Sequence, residues 1–216
     1  MKYLAISLLF IVLLSLSSSG FGGSPPSIAS NAVSRSIENF EKADFFNNQN
    51  WWTFGAAKIE LVSNVAKEHY ALSIKGEASN WFVGGIGGYI ADFDKKSQES
   101  SSLEMDIYSY QKKNGMLKIE LYDDDNGNWQ IEQDPQNYLP LFDDKFVYEL
   151  KIDWEGWKHI SIPLSSFIDD NHEVGDNVWD PNFFCNSGGL LQMQFIAIAP
   201  GKIGSINFVM DNIGFN

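Results

Sequence analysis

From Ile37 onward, apolar residues recur at every second position in short stretches, and no long segment carries helical spacing. The alternating stretches are Ser36–Glu41, Thr53–Leu61, Tyr70–Lys75, Trp81–Tyr89, Leu103–Tyr110, Met116–Tyr122, Phe146–Ile152, Trp157–Pro163, Leu190–Ala199 and Ser205–Ile213. Clusters of Gly, Asn, Asp and Pro separate them, which predicts strands joined by turns. So many strands without helices between them imply an all-β fold, an antiparallel β-sandwich in one domain over residues 37–216.

Alternation also assigns faces. Leu103, Met105 and Ile107 share one face of their strand, and Glu104, Asp106, Tyr108 and Tyr110 the other. In the next strand Leu117, Ile119 and Leu121 oppose Lys118, Glu120 and Tyr122. Only Gln111 to Gly115 lie between the two, so a hairpin is expected, with both polar faces on one surface. Tyr108, Tyr110 and Tyr122 would then stand among Asp106 and Glu120, with Gln192 and Gln194 extending the patch. Aromatic rings beside directional hydrogen-bonding groups suit a neutral sugar, whose C–H face stacks while its hydroxyls bond. Trp51 and Trp52 flank a turn as core plugs or as a further sugar platform.

The N-terminus reads differently. Lys2 precedes an apolar run from Leu4 to Leu16, too short to span a bilayer but suited to a signal peptide, with small residues for cleavage through Gly20. No cysteine stands there to anchor a lipoprotein, so a secreted, periplasmic or cell-surface location is expected. Residues 21–36 form a Gly/Ser/Pro lead-in. The net charge of −13 argues against nucleic acid and against anionic polysaccharides or membranes. Cys185 is the only cysteine, which excludes an intramolecular disulfide and a CxxC zinc site, and it follows Phe183 and Phe184 as a small buried residue.

Three blocks are more specific: Ile37-Glu38-Asn39-Phe40-Glu41, then W-x-x-I-x-I-P-L-x-x-F from Trp157 to Phe167, then G-x-I-x-F-x-x-D-N-I from Gly204 to Ile213. In this order they resemble the galactose-binding-domain-like jelly rolls, above all carbohydrate-binding module family 11 and the complex I intermediate-associated protein 30 domains. The resemblance implies two antiparallel sheets and a concave face that grips a β-glucan chain through tyrosines and polar side chains, and the expected function is binding of a neutral polysaccharide without cleavage. The resemblance also implies a structural calcium ion, with Glu41 and Asp211 as ligands and Asn39 where the family has aspartate. Trp157 corresponds to the family's core tryptophan.

Other chemistry is poorly supported. Aligning Asp123 to Trp129 with an EF-hand loop through Gly127 puts Tyr122 and Gln133 at ligand positions, so a solvated turn at Asn126-Gly127 is expected. Glu104-Met105-Asp106 resembles part of a family 16 glucanase motif, but Ser109 replaces its third acid. His69, His159 and His172 share no metal spacing. Gly84 to Gly88 fit a bulge or a close backbone approach better than a phosphate cradle. The rival to sugar binding is a cell-envelope jelly roll that contacts protein.

Overall fold

The computed structural model describes residues 35–90, 101–179 and 189–216. The expected signal peptide, the expected lead-in up to residue 34 and Cys185 lie outside them. Twelve strands are present among the described residues: β1 (Arg35–Glu38), β2 (Trp51–Gly55), β3 (Lys58–Val62), β4 (Ala71–Ala78), β5 (Phe82–Tyr89), β6 (Ser102–Ser109), β7 (Met116–Asp124), β8 (Asp144–Lys151), β9 (Gly156–Pro163), β10 (Ile168–Asp169), β11 (Gly189–Ile198) and β12 (Gly204–Phe215). Two single 3-10 turns, Phe45–Asn47 and Leu164–Ser166, are the only helical pieces described.

All pairings are antiparallel and build two six-stranded sheets. Sheet one runs β3-β4-β12-β6-β9, with β1 also paired to β12; sheet two runs β10-β8-β7-β11-β5-β2. The inner faces meet in one core that includes Leu72 and Ile74 of β4, Met105 and Ile107 of β6, Ile119 and Leu121 of β7, Phe195 of β11 and Phe208 of β12. Every expected strand is found. The Thr53–Leu61 stretch is divided, however: Gly55 takes a left-handed turn (φ +74°), and β2 and β3 part into different sheets.

The expected hairpin between β6 and β7 does not form. β6 pairs with β12 and β9, whereas β7 pairs with β8 and β11, so the short link crosses from one sheet to the other. Asn114, fully buried, anchors that crossing. Its side chain accepts the Asn207 N–H at 2.8 Å and donates to the Asn207 carbonyl and to Ser109 Oγ, while its own N–H donates to the Ile152 carbonyl at 2.8 Å. Gly115 (φ +89°) then passes so close to β11 that a Cβ would stand 2.2 Å from the Ile198 carbonyl oxygen. A crossing therefore replaces a turn, and the outward residues of β6 and β7 end on opposite sides of the sandwich.

Candidate functional site

The predicted binding residues separate accordingly. Asp106, Tyr108 and Tyr110 lie on the outer side of sheet one, where Tyr108 meets Tyr110 and Trp157 edge-on at 4.9 and 5.6 Å. Trp157 is on this outer side and not in the core: its Nε1 donates to the Val65 carbonyl at 3.0 Å, and Trp154 packs against the core instead. Asp106 is buried and saturated by Lys67 Nζ (2.8 Å), Asn212 Nδ2 (3.1 Å) and His159 Nδ1 (3.1 Å). Burial opposes its charge, but these partners outweigh burial and hold its carboxyl below the usual range. Asp106 thus ties β6, β9 and β12 to the β3–β4 loop.

Tyr122, Glu120, Gln192 and Gln194 come together on the outer side of sheet two. The strand register puts its residues in rows. One row is Phe54, Gly85, Ile196 and Lys118; the next is Trp52, Gly87, Gln194 and Glu120; a third is Tyr89, Gln192, Tyr122 and Lys145. A cavity of about 580 Å³ opens over these rows, within the size range of small-molecule sites. Trp52, Phe54 and Phe82 line its apolar side, and Glu120, Lys145 and Gln194 its polar floor. Tyr138 and Leu139, from the β7–β8 loop, form a wall.

The glycine run explains the apolar side. At Gly87 a Cβ would sit 2.5–2.6 Å from two carbons of the Trp52 indole, and at Gly88 it would sit 2.6–2.8 Å from the Trp51 ring on the other side of the sheet. Bare backbone in β5 therefore lets one tryptophan lie down on each face. Trp51 turns inward against the core, and Trp52 faces the cavity, 4.9 Å from the Tyr89 ring. Trp51 thus takes the core position, and Trp52 presents its ring to the cavity.

Tyr122 is at the floor but not available as a stacking surface, being 2% exposed. Its hydroxyl donates to Glu120 Oε2 at 2.6 Å, and Glu120 Oε1 pairs with Lys118 Nζ at 2.9 Å. Burial first, then the Glu120 charge, holds the Tyr122 phenol protonated far above the usual phenol range. Burial also works against the Lys118 ammonium, but Glu120 and Asp170 outweigh it and raise its pKa. Lys145 Nζ completes the network with Asp170 at 2.9 Å. Glu120 is the only carboxylate lining the cavity among the described residues. The floor is thus a fixed lattice of donors and acceptors with the charges already matched.

Glu41 and Asp211 also approach each other, where the end of β1 meets β12. Glu41 accepts the His69 and Tyr70 N–H groups at 3.1–3.3 Å and contacts His69 Nδ1 at 3.2 Å. Asp211 is buried, and its Oδ1 accepts the Asn212 N–H at 2.8 Å. Burial first, then the charges of Glu41, Asp106 and Glu68, push its carboxyl up to about 6. An all-oxygen donor set with surplus negative charge suits a calcium ion.

Sequence reasoning missed Phe54, Phe82 and Tyr138, for which the available signal was only an aromatic residue in or beside a strand. It also took Asp123 and Asp124 for a solvated turn. Both are fully buried, and Asp124 caps the turn by accepting the N–H groups of Gly127 (2.9 Å), Asn128 (3.3 Å) and Trp129 (2.8 Å).

No family model matches the sequence, and no curated protein does. Solved structures do match. A family 11 carbohydrate-binding module from Clostridium thermocellum, solved with a β-1,3-1,4-mixed-linked tetrasaccharide, has a TM-score of 0.52 at 19% identity, covering 84% of this chain and 94% of that one. The family 11 module of the cellulosomal cellulase Lic26A-Cel5E of the same organism has a TM-score of 0.50 at 19% identity, covering 84% and 93%. At such identities the likeness is architectural: this chain has the two-sheet β-jelly roll of the family 11 carbohydrate-binding modules.

Proposed function

We propose that the protein is an exported, non-catalytic module that binds a neutral β-glucan on the outer side of sheet two. The observation that carries this reading is the Trp52 ring laid on Gly87 beside the Gln194–Glu120 row, which offers a sugar a flat apolar face and hydrogen-bonding groups together. The net charge of −13 favours an uncharged polymer. The ligand of the similar module, a mixed-linked tetrasaccharide, supports the choice of glucan. Binding rather than cleavage is favoured because a glycosidase needs two carboxylates flanking the bond, and Glu120, bound to Lys118 and Tyr122, is the one carboxylate in the cavity lining among the described residues. A calcium ion between Glu41 and Asp211, pinning the first strand to the last, belongs to the same proposal.

Affinity electrophoresis of the exported form through gels containing barley β-glucan, xyloglucan, xylan or galactomannan tests it. Retardation by β-glucan is the expected result; free migration through all four gels would overturn the proposal in favour of a protein-contact role. Tyr108→Ala serves as the control for the opposite side. It removes two edge-on ring contacts, at a cost of about 2 kcal/mol, so the melting temperature should fall by roughly 4–8 °C. Its retardation should equal that of the unaltered protein, and weakened binding would place the ligand on sheet one instead.

A further inference from the structure

The β7–β8 loop that walls the cavity starts and ends on aspartates. Asp125 Oδ2 accepts the Asp144 N–H at 2.7 Å, which ties the two ends of the loop together. A third segment reaches the same place after β10: Val178 N–H donates to Asp144 Oδ2 at 3.1 Å. One carboxylate oxygen each from Asp125, Asp144 and Asp176 lies within 4.8 Å of the others. Two oxygens held on opposite sides of a calcium ion at 2.3–2.6 Å would be about that far apart.

The partnering of these oxygens points to a ligand there. Asp144 is fully buried, yet its Oδ1 has no hydrogen-bond partner, and Asp125 Oδ1 has none either. Gly175 (φ +73°) passes tightly against them: a Cβ there would stand 2.2 Å from both Asp144 Oδ1 and Asp125 Oδ2, so a side chain at this position would displace the carboxylates. Neither Asp125, Asp144 nor Asp176 is paired with a lysine or arginine among the described residues, whereas nearby Asp170 holds Lys145 and Lys118. Burial first, then its like-charged neighbours, pushes Asp125 up to about 7 and Asp144 up to about 6. Buried carboxylates so arranged need either protons or a cation.

We propose that Asp125, Asp144 and Asp176 bind a calcium ion that fastens both ends of the cavity-walling loop to the segment after β10. The donors are all oxygen and come from three separate segments, which favours calcium's adaptable shell over the strict octahedron of magnesium. The site is separate from Glu41 and Asp211, and it stands whether or not the cavity takes a sugar.

Chelator-treated full chain would be titrated with calcium chloride by calorimetry and then melted with and without about 5 mM calcium, enough to fill a weak extracellular-type site. Saturation should raise the melting temperature by roughly 5–10 °C. Asp176→Asn changes an exposed residue and so keeps the fold; it should weaken calcium binding at least tenfold while the chelated form melts as before. Asp144→Asn should do the same with its Val178 bond retained, and Asp211→Asn should leave this binding event in place. Absence of any calcium-dependent heat or melting shift in the unaltered chain would overturn the proposal. So would a calcium response unchanged in both Asp144→Asn and Asp176→Asn.

Discussion

Trp52→Ala is expected to weaken β-glucan binding roughly thirtyfold while the protein melts within a few degrees of the unaltered form. The magnitude follows from area. One face of an indole covered by a sugar ring removes on the order of 80–100 Å² of apolar surface from water, worth about 2 kcal/mol, and about 1.4 kcal/mol is a factor of ten. The effect on stability is smaller because Trp52 is only half-buried and faces the cavity, whereas its neighbour Trp51 packs against the core. Isothermal titration with a mixed-linked glucan oligosaccharide, beside a thermal melt, separates the two quantities. Unchanged affinity would remove the ring from the ligand's path and with it the reading of this cavity as a sugar site.

The expected strands were legible because alternation is a property of single strands. Leu117, Ile119 and Leu121 could face nothing but a core, and they do. Which sheet a strand joins is not written in its alternation. It depends on what the chain does between strands, and Gln111 to Gly115 suits a hairpin or a crossing equally well by length alone. Asn114 decided the matter through bonds to Asn207, a residue more than ninety positions away in sequence. The expected single aromatic patch therefore divided into a structural cluster around Tyr108 and Trp157 and a cavity around Trp52 and Gln194. Burial was misjudged for a related reason. Asp123 and Asp124 looked like turn residues, since three acids in a row normally seek water. Their burial follows from the neighbouring Asp143 and Asp144, also fully buried, which the fold brings back beside them through the β7–β8 pairing.

Gly87→Val should weaken glucan binding about as much as Trp52→Ala, even though it removes none of the side chains that line the cavity. The glycine has no side chain to offer a ligand; its contribution is the space above β5. With a Cβ there, two carbons of the indole would lie 2.5–2.6 Å away, well inside contact distance, so the ring must lift off the strand. The nearest atoms met by that Cβ all belong to the Trp52 ring. The strain is thus relieved by moving the platform and not by separating β5 from β2 or β11, and a β-branched residue is otherwise welcome in a strand. The melting temperature should accordingly change little. Because both substitutions act on one ring, their effects should fail to add: the Trp52→Ala, Gly87→Val double variant should bind no more weakly than Trp52→Ala alone. If Gly87→Val bound normally, or if the two losses added in full, the indole could not owe its position to the missing side chain, and the glycine run would need another explanation.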